Sequence, residues 1–447
     1  MSDHPSDLTA RDLRHVWHPC SQMKDYEAFP PLEVVGAHGS RLRLKGGSTV
    51  IDAVSSWWCK TLGHGHPRLR AALVAQAERF EHVIGANTAS EPLVSLSEKL
   101  ASLCPPLDKV FYGGDGSTAV EIALKMSLHA QRIRGQTQRV RFLALENGYH
   151  GESGLALAVS DLGLYRAPYA AVLPEPVILR GLPYVSGPAD PLWDDCSAAW
   201  PAIERQLEAH AEDAAALILE PVLQGAGGMY VYAPDLLRRL RAWCTRRGVY
   251  LIADEILTGF WRTGAKLAVQ HAGIAPDLLC LSKGLTGGWL PFSATLVSPE
   301  LYDLFYADYG TGRDFLHSNT YSGNALGAAV ALEALSVYSE PGFGDMVAAV
   351  SVSLASRWTQ VATATGALEN IRAVGGMVAA DLALPREKRG TRAGYRVFRE
   401  AVARGALLRP LGDTLYWLPP LNTPTADLDE LAEITAAAIG VVRSRGW

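Results

Sequence analysis

Two ionisable residues of opposite charge, Asp254 in YLIADEI (250–256) and Lys283 in LLCLSKGLTGG (278–288), each follow a short apolar run. Such runs read as buried strands, and in open parallel sheets ligands bind beyond the carboxyl ends of the strands. A carboxylate buried there must be paired or it takes a proton. A protonated pyridine nitrogen is a fitting partner, because the pair keeps the ring an electron sink; a strand-end Asp capping the next turn is the equal alternative. A lone strand-end lysine is usually solvated. Lys283 instead lies between a buried run and small residues, which suits an amine that condenses with a carbonyl compound.

The stretch GGDGSTAVEIALKM (113–126) opens a helix whose Ala119, Ile122, Ala123 and Met126 form one apolar face. Gly116 and Ser117 then stand where free backbone N–H groups and the helix dipole favour a phosphate, although a glycine-rich turn alone explains the same residues. The pattern is neither G-x-G-x-x-G nor a P-loop, so neither a dinucleotide nor ATP is indicated. Trp57 and Trp58 suit either core packing or an aromatic channel wall. His64 and His66 alternate in a Gly/Pro turn with no third ligand nearby, so no metal is expected. Arg262 in GFWRTG either meets an anion or pins its own loop through backbone carbonyls.

These residues need a scaffold that brings strand ends together. Apolar runs at Val110–Tyr112, Phe142–Leu145, Ala216–Leu219, Val249–Ala253 and Leu278–Leu281 alternate with helical patterns, which predicts an α/β fold with a mostly parallel sheet. Pro234–Arg247 reads as a helix stopped by Gly248 and feeding the strand at Val249. Ala-rich stretches near 211–216, 328–334 and 430–438 are expected to be helical. Gly and Pro density rises near 340, where a boundary is placed, and the segment beyond it reads as α+β.

The chain has 447 residues, 48% hydrophobic and 19% charged, with net charge −5. Length suggests more than one domain, and the charge supplies no footprint for nucleic acid or anionic lipid. The N-terminal MSDHPSDLTARD lacks an apolar signal core and no membrane span is evident, so a cytoplasmic enzyme is expected. The six cysteines show no C-x-x-C pair, and most are read as buried small hydrophobes.

Taken together, GDGS, NGYHGE (147–152), EPVLQGAGGM (220–229), ADEILTGFWRTG (253–264), LSKGLTGG (281–288) and SNTYSGN (318–324) resemble, in order, the motifs of the class III aminotransferases. The likeness runs from about residue 15 to the C-terminus. It implies pyridoxal 5'-phosphate (PLP) as cofactor and PLP fold type I: a large α/β/α domain at 61–340 with a mostly parallel central sheet, and a smaller α+β domain at 341–447 joined by an N-terminal segment, 1–60. Within the class, WHPC (17–20), DAVSSWWCKTLGHGHP (52–67) and LLRPLGDTLYWLPP (407–420) resemble the aminotransferases of biotin synthesis that convert 8-amino-7-oxononanoate (KAPA) into 7,8-diaminononanoate (DAPA). The resemblance implies that Lys283 is the Schiff-base and proton-shuttling lysine, Asp254 holds the pyridine nitrogen, and Tyr149 covers the ring. Gly116 and Ser117 would bind the phosphate, with Asn319 and Thr320 arriving from the second subunit of a homodimer. Cys20, Trp57, Trp58, Tyr149, Ser318 and Arg409 would line the substrate site, Arg409 holding the KAPA carboxylate.

The chain departs from the pattern at three places. Family members that use S-adenosylmethionine read WHPY, YHGD and HGPT; here these are WHPC with Cys20, YHGE with Glu152, and HSNT (317–320). A thiol offers no ring to stack on an adenine, so S-adenosylmethionine and L-lysine stand as equal candidates for the amino donor. An ω-amino-acid transaminase or aminomutase on the same scaffold is the nearest alternative activity, and a PLP-binding regulator without turnover the alternative from another class.

Overall fold

The computed structural model describes residues 7–447; the first six, part of the segment read for a signal peptide, lie outside the described residues. The apolar runs form one seven-stranded sheet: β1 (Lys109–Gly113), β2 (Arg141–Leu145), β3 (Val177–Leu179), β4 (Ala214–Leu219), β5 (Tyr250–Asp254), β6 (Leu278–Leu281) and β7 (Ser293–Val297). Their spatial order is β1-β7-β6-β5-β4-β2-β3. Only β7 runs against its neighbours, so all the other strands end on one edge. That edge is where a parallel sheet presents its ligand crevice.

The Ala-rich stretch at 211–216 is not the expected helix: from Ala214 it is strand β4, wholly buried between β2 and β5. The helical preference of alanine is only a fraction of a kcal/mol per residue, and burial on both faces of a parallel sheet outweighs it. The other two stretches lie in helices, Ala325–Tyr338 and Thr425–Ser444. Helix α1 (Gly116–Ile133) follows β1, with Asp115 accepting a hydrogen bond from the Thr118 N–H at 2.9 Å. Helix α2 (Pro234–Arg247) buries Leu236, Leu237, Leu240 and Trp243 and ends at Gly248, whose φ of 66° only glycine adopts freely.

Three smaller sheets accompany this unit among the described residues, one of them the two-stranded pair Leu223–Gln224 and Tyr230–Val231. Val34–His38, Arg41–Leu44 and Thr49–Asp52 pair in sequence, and Ala406–Leu407 joins them in parallel with Leu407 opposite Asp52. Early and late parts of the chain therefore share a sheet. Leu368–Val374, Met377–Leu382 and Thr414–Trp417 form an antiparallel sheet whose core includes Trp358 and Trp417, ring centroids 4.6 Å apart. Among the described residues no helix is long and apolar enough to cross a membrane.

The loop after β4 packs its backbone directly on the loop after β2. A Cβ at Gly227 would overlap the Asn147 carbonyl oxygen, and backbone cannot rotate away as a side chain does. Gly227→Ala is therefore expected to destabilise the protein by about 1–3 kcal/mol, read as a lowered urea midpoint; an unchanged midpoint would show that the two loops are free to separate.

Candidate active site

Five strand ends converge on one cavity of about 210 Å³. Strand β5 delivers Asp254, and β6 delivers Lys283 one residue beyond Ser282. The β1–α1 turn delivers Gly116 and Ser117, the loop after β2 delivers Tyr149 and His150, and β4 delivers Glu220. Of the residues expected to act, Lys283, Asp254, Tyr149, Gly116, Ser117 and Trp58 all line this cavity.

The Asp254 carboxylate is held on both oxygens: Oδ2 lies 2.8 Å from His150 Nδ1, and Oδ1 accepts the Ile256 N–H at 3.2 Å. The alternative of a turn cap is thus partly realised, since Ile256 opens the turn, yet the second oxygen faces a buried imidazole. Lys283 Nζ sits 4.7 Å from the Trp58 ring centroid. Tyr149 is fixed at both ends, its N–H donating to Glu220 at 3.0 Å and its hydroxyl to Glu152 at 2.9 Å. At the helix mouth, a Cβ on Gly116 would come within 3.0 Å of Ile256, and a side chain on Gly151 would collide with Ser117. The Gly116 and Ser117 N–H groups have no protein acceptor among the described residues, while the Thr118 N–H is capped by Asp115; free N–H groups are what an anion site requires.

A second cluster joins this cavity through Glu152. Cys20 lies exposed with Sγ 4.0 Å from Glu152 Oε1, and its carbonyl accepts a hydrogen bond from Arg409 Nη2 at 3.1 Å. The Arg409 guanidinium stacks 4.5 Å from the half-exposed Trp57 ring. Both tryptophans stand on an unusual turn: residues 55–58 have φ of 50°, 44°, 72° and 73°. Left-handed backbone costs an L-residue about 1–2 kcal/mol, so the turn must be held by its surroundings. Trp58 is anchored by Nε1 donating to Tyr416 OH at 3.0 Å.

Ser318, Asn319 and Thr320 lie exposed and do not line the cavity of their own chain. Arg262 is wholly buried and donates from Nη1 to the carbonyls of Gly376 and Pro419, both at 2.9 Å. Nη1 thus pins its loop, Nε and Nη2 are buried without a partner, and the side chain does not line the cavity. Among the described residues no group of His, Cys, Asp and Glu is placed to hold a metal, and His64 is instead bound to Asp52 at 2.8 Å. The sequence reading missed His150 and Glu220. Glu220 follows an apolar run just as Asp254 does, so the same strand-end rule would have found it; His150 carries no comparable signal.

The cavity thus offers a buried amine, a fixed buried carboxylate and a bare helix N-terminus. These fit a small molecule with a carbonyl, a basic ring nitrogen and a phosphate, which are the handles of PLP. The family model for aminotransferase class-III matches residues 22–439. The chain is a class-III aminotransferase. It is 40% identical to the adenosylmethionine-8-amino-7-oxononanoate aminotransferase of Synechococcus elongatus, over 95% of this chain and 97% of that one. The Helicobacter pylori protein of the same name is 37% identical, over 92% and 93%. Among solved structures, the enzyme of that name from Methanocaldococcus jannaschii superposes with a TM-score of 0.88 at 30% identity, covering 97% of this chain and 98% of that one. An omega transaminase from Pseudomonas jessenii in complex with PMP gives 0.90 at 26%, covering 98% and 99%. The fold is PLP fold type I, and class-III aminotransferases use PLP.

Electrostatics in this aminotransferase follow from burial. Burial lowers the Lys283 pKa from the ordinary lysine value, and the Asp254 and Glu220 carboxylates only partly oppose it. Burial likewise pushes Glu220 up to about 7 and, together with the Glu152 carboxylate, raises the Tyr149 phenol, which therefore stays protonated as a donor. Burial also brings Arg262 down to about 9.

A lowered lysine pKa means more neutral, nucleophilic amine at a given pH. Capture of PLP by the cofactor-free protein is thus expected to rise with pH to a midpoint below the free-lysine value of 10.5. A midpoint at or above that value would contradict the effect of burial. Lys283→Ala is expected to remove the visible absorbance of the lysine-linked cofactor, and a persisting band would exclude Lys283 as its attachment point.

Proposed function

We propose that this aminotransferase converts KAPA into DAPA, acting in the cytoplasm as a homodimer with its active sites at the subunit interface. The observation that carries the reading is Arg409 stacked on Trp57, set beside the Trp58 that adjoins Lys283. A long apolar substrate ending in a carboxylate calls for an aromatic wall with one fixed guanidinium at its far end. The names of the relatives from Synechococcus elongatus and Helicobacter pylori support the same substrate. A short ω-amino acid would need a second cation near the ring, and Arg262 is wholly buried and does not line the cavity.

Roles follow from position. Bound PLP supplies the reactive carbonyl and an electron-withdrawing ring. Lys283, neutral more readily because it is buried, takes the proton from the donor carbon and returns it on the other side of the exchange. Asp254, oriented by His150 and the Ile256 N–H, would pair with the ring nitrogen of the bound cofactor and favour its protonated form. Tyr149, tied to Glu220 and Glu152, covers the ring. The bare N–H groups of Gly116 and Ser117 receive the phosphate. Ser318, Asn319 and Thr320, exposed in their own chain, complete the site of the second subunit. Trp57 and Trp58 keep water from the substrate chain while Arg409 holds its carboxylate. The amino donor is S-adenosylmethionine or L-lysine: the relatives' names support the first, and Cys20, whose thiol offers no ring to stack on an adenine, supports the second.

Arg409→Ala removes a charge-assisted pairing worth about 1.5–3 kcal/mol, so the KAPA KM should rise about 10- to 100-fold with little change in the donor half-reaction. Equal loss with both substrates would count against a carboxylate role. The donor is checked by mixing holoenzyme separately with S-adenosylmethionine and L-lysine and following conversion of the cofactor absorbance. Conversion by lysine alone would assign lysine as the donor and direct attention to Cys20 and Glu152; conversion by neither would overturn the KAPA assignment.

A further inference from the structure

Four consecutive L-residues in left-handed backbone, Ser55 to Trp58, are held by something other than their own preference. The holding group is the wholly buried Asp52. Its Oδ1 accepts the Ser56 N–H at 2.9 Å, and its Oδ2 accepts the Ser56 hydroxyl at 2.6 Å and meets His64 Nε2 at 2.8 Å. Burial alone would raise this carboxyl, but the bonds from His64 and Ser56 outweigh it and hold its pKa below the ordinary value. Ser, His and Asp are the residue types of a hydrolytic triad, yet the order is wrong for one. Ser56 gives its proton to the carboxylate, and the hydroxyl and the carboxylate both approach the same ring nitrogen, the hydroxyl at 3.4 Å. No base is left aimed at Ser56.

The clamp is itself fixed from outside the turn. Asp52 N–H donates to Ser40 O at 2.7 Å, and His64 exchanges backbone hydrogen bonds with Gly39 at 3.0 and 2.7 Å. Asp52 stands in register with Leu407, two residues before Arg409. One strand pair therefore sets both the clamp and the arginine. At the other end of the turn, Ser55 Oγ donates to Leu418 O at 2.7 Å, Trp57 lies under Arg409, and Trp58 lies beside Lys283.

We propose that Asp52, with His64 as its partner, is a positioning residue for the reaction: it holds residues 55–58 left-handed and so places Trp57 against Arg409 and Trp58 against Lys283. The proposal rests on the KAPA reading only for what Arg409 binds. The placement of Trp58 beside the cofactor lysine stands without it.

The test compares Asp52→Asn with Asp52→Asn/Ser56→Gly, because glycine adopts positive φ without steric cost and needs no clamp. The readouts are thermal unfolding of the holoenzyme, the position of its visible cofactor band, and the rate of PLP uptake by the cofactor-free protein. Asp52→Asn is expected to slow PLP uptake about tenfold, the equivalent of one unrelieved left-handed residue, and to shift the band. Adding Ser56→Gly is expected to recover most of that loss. Wild-type uptake and band in Asp52→Asn would overturn the proposal, as would a double variant no better than the single one. Should Asp52→Asn not fold, Ser56→Ala and Ser56→Gly decide. Both lose the hydroxyl, but only alanine retains a Cβ, so uptake is expected to be slower in the alanine variant; equal rates, or a slower glycine variant, overturn the proposal. PLP uptake needs no amino substrate. Failure of wild-type enzyme to turn over KAPA would thus overturn the substrate reading and leave this test standing.

Discussion

A carboxylate and an amine buried together at the ends of adjacent strands, Asp254 on β5 and Lys283 after β6, set the terms for the rest of the molecule. Ionised groups taken out of water are costly unless paired and hydrogen-bonded. The structure meets that cost for Asp254 with His150 and a backbone N–H. For Lys283 it lets burial lower the pKa and places an aromatic face beside the amine. An amine kept less basic than usual, opposite a carboxylate kept in one orientation, is what a lysine-bound, ring-protonated cofactor requires.

Holding that pair in place depends on several parts of the chain at once. The reversed strand β7 lies between β6 and β1, so the lysine strand and the strand feeding helix α1 end on the same edge. Glu220 ties the loop after β4 to Tyr149, and Gly227 lets the same loop lie on the Asn147 backbone. On the far side, pairing of Leu407 with Asp52 brings the Arg409 segment against the tryptophan turn. The cavity and the adjoining Arg409–Trp57 cluster are thus assembled from the seven-stranded and the four-stranded sheets together.

Much of the large sheet was legible because parallel strands buried on both faces are continuous apolar runs. The runs at 110–112, 142–145, 249–253 and 278–281 correspond to β1, β2, β5 and β6 with ends shifted by a residue or two, and Gly248 marked its helix end. The small sheets were not legible. Arg41–Leu44 (RLRL) and Leu368–Val374 (LENIRAV) are interrupted by charged residues, Arg43 and Glu369 exposed and Arg372 buried, and show no continuous apolar run. Alanines at 214–216 misled because their helical preference is local, whereas their burial between two strands is not.

By itself the sequence determined the chemistry: a lysine and an aspartate after buried runs, a glycine-rich helix start, and the ordered motifs that imply PLP and transamination. Apart from the order of the motifs, those features are local, since a residue type, a neighbouring apolar run and a turn glycine all lie within a few positions of one another. Only the tertiary structure decided which of two readings each ambiguous residue takes. Arg262 binds two carbonyls from segments far along the chain, and Asp254 acquires His150 as a partner. Trp57 is set against Arg409, and the core-packed Trp58 against Lys283, by a left-handed turn that their own preferences oppose. Each of these depends on groups distant in sequence that overrule local energetics, and no local pattern records them.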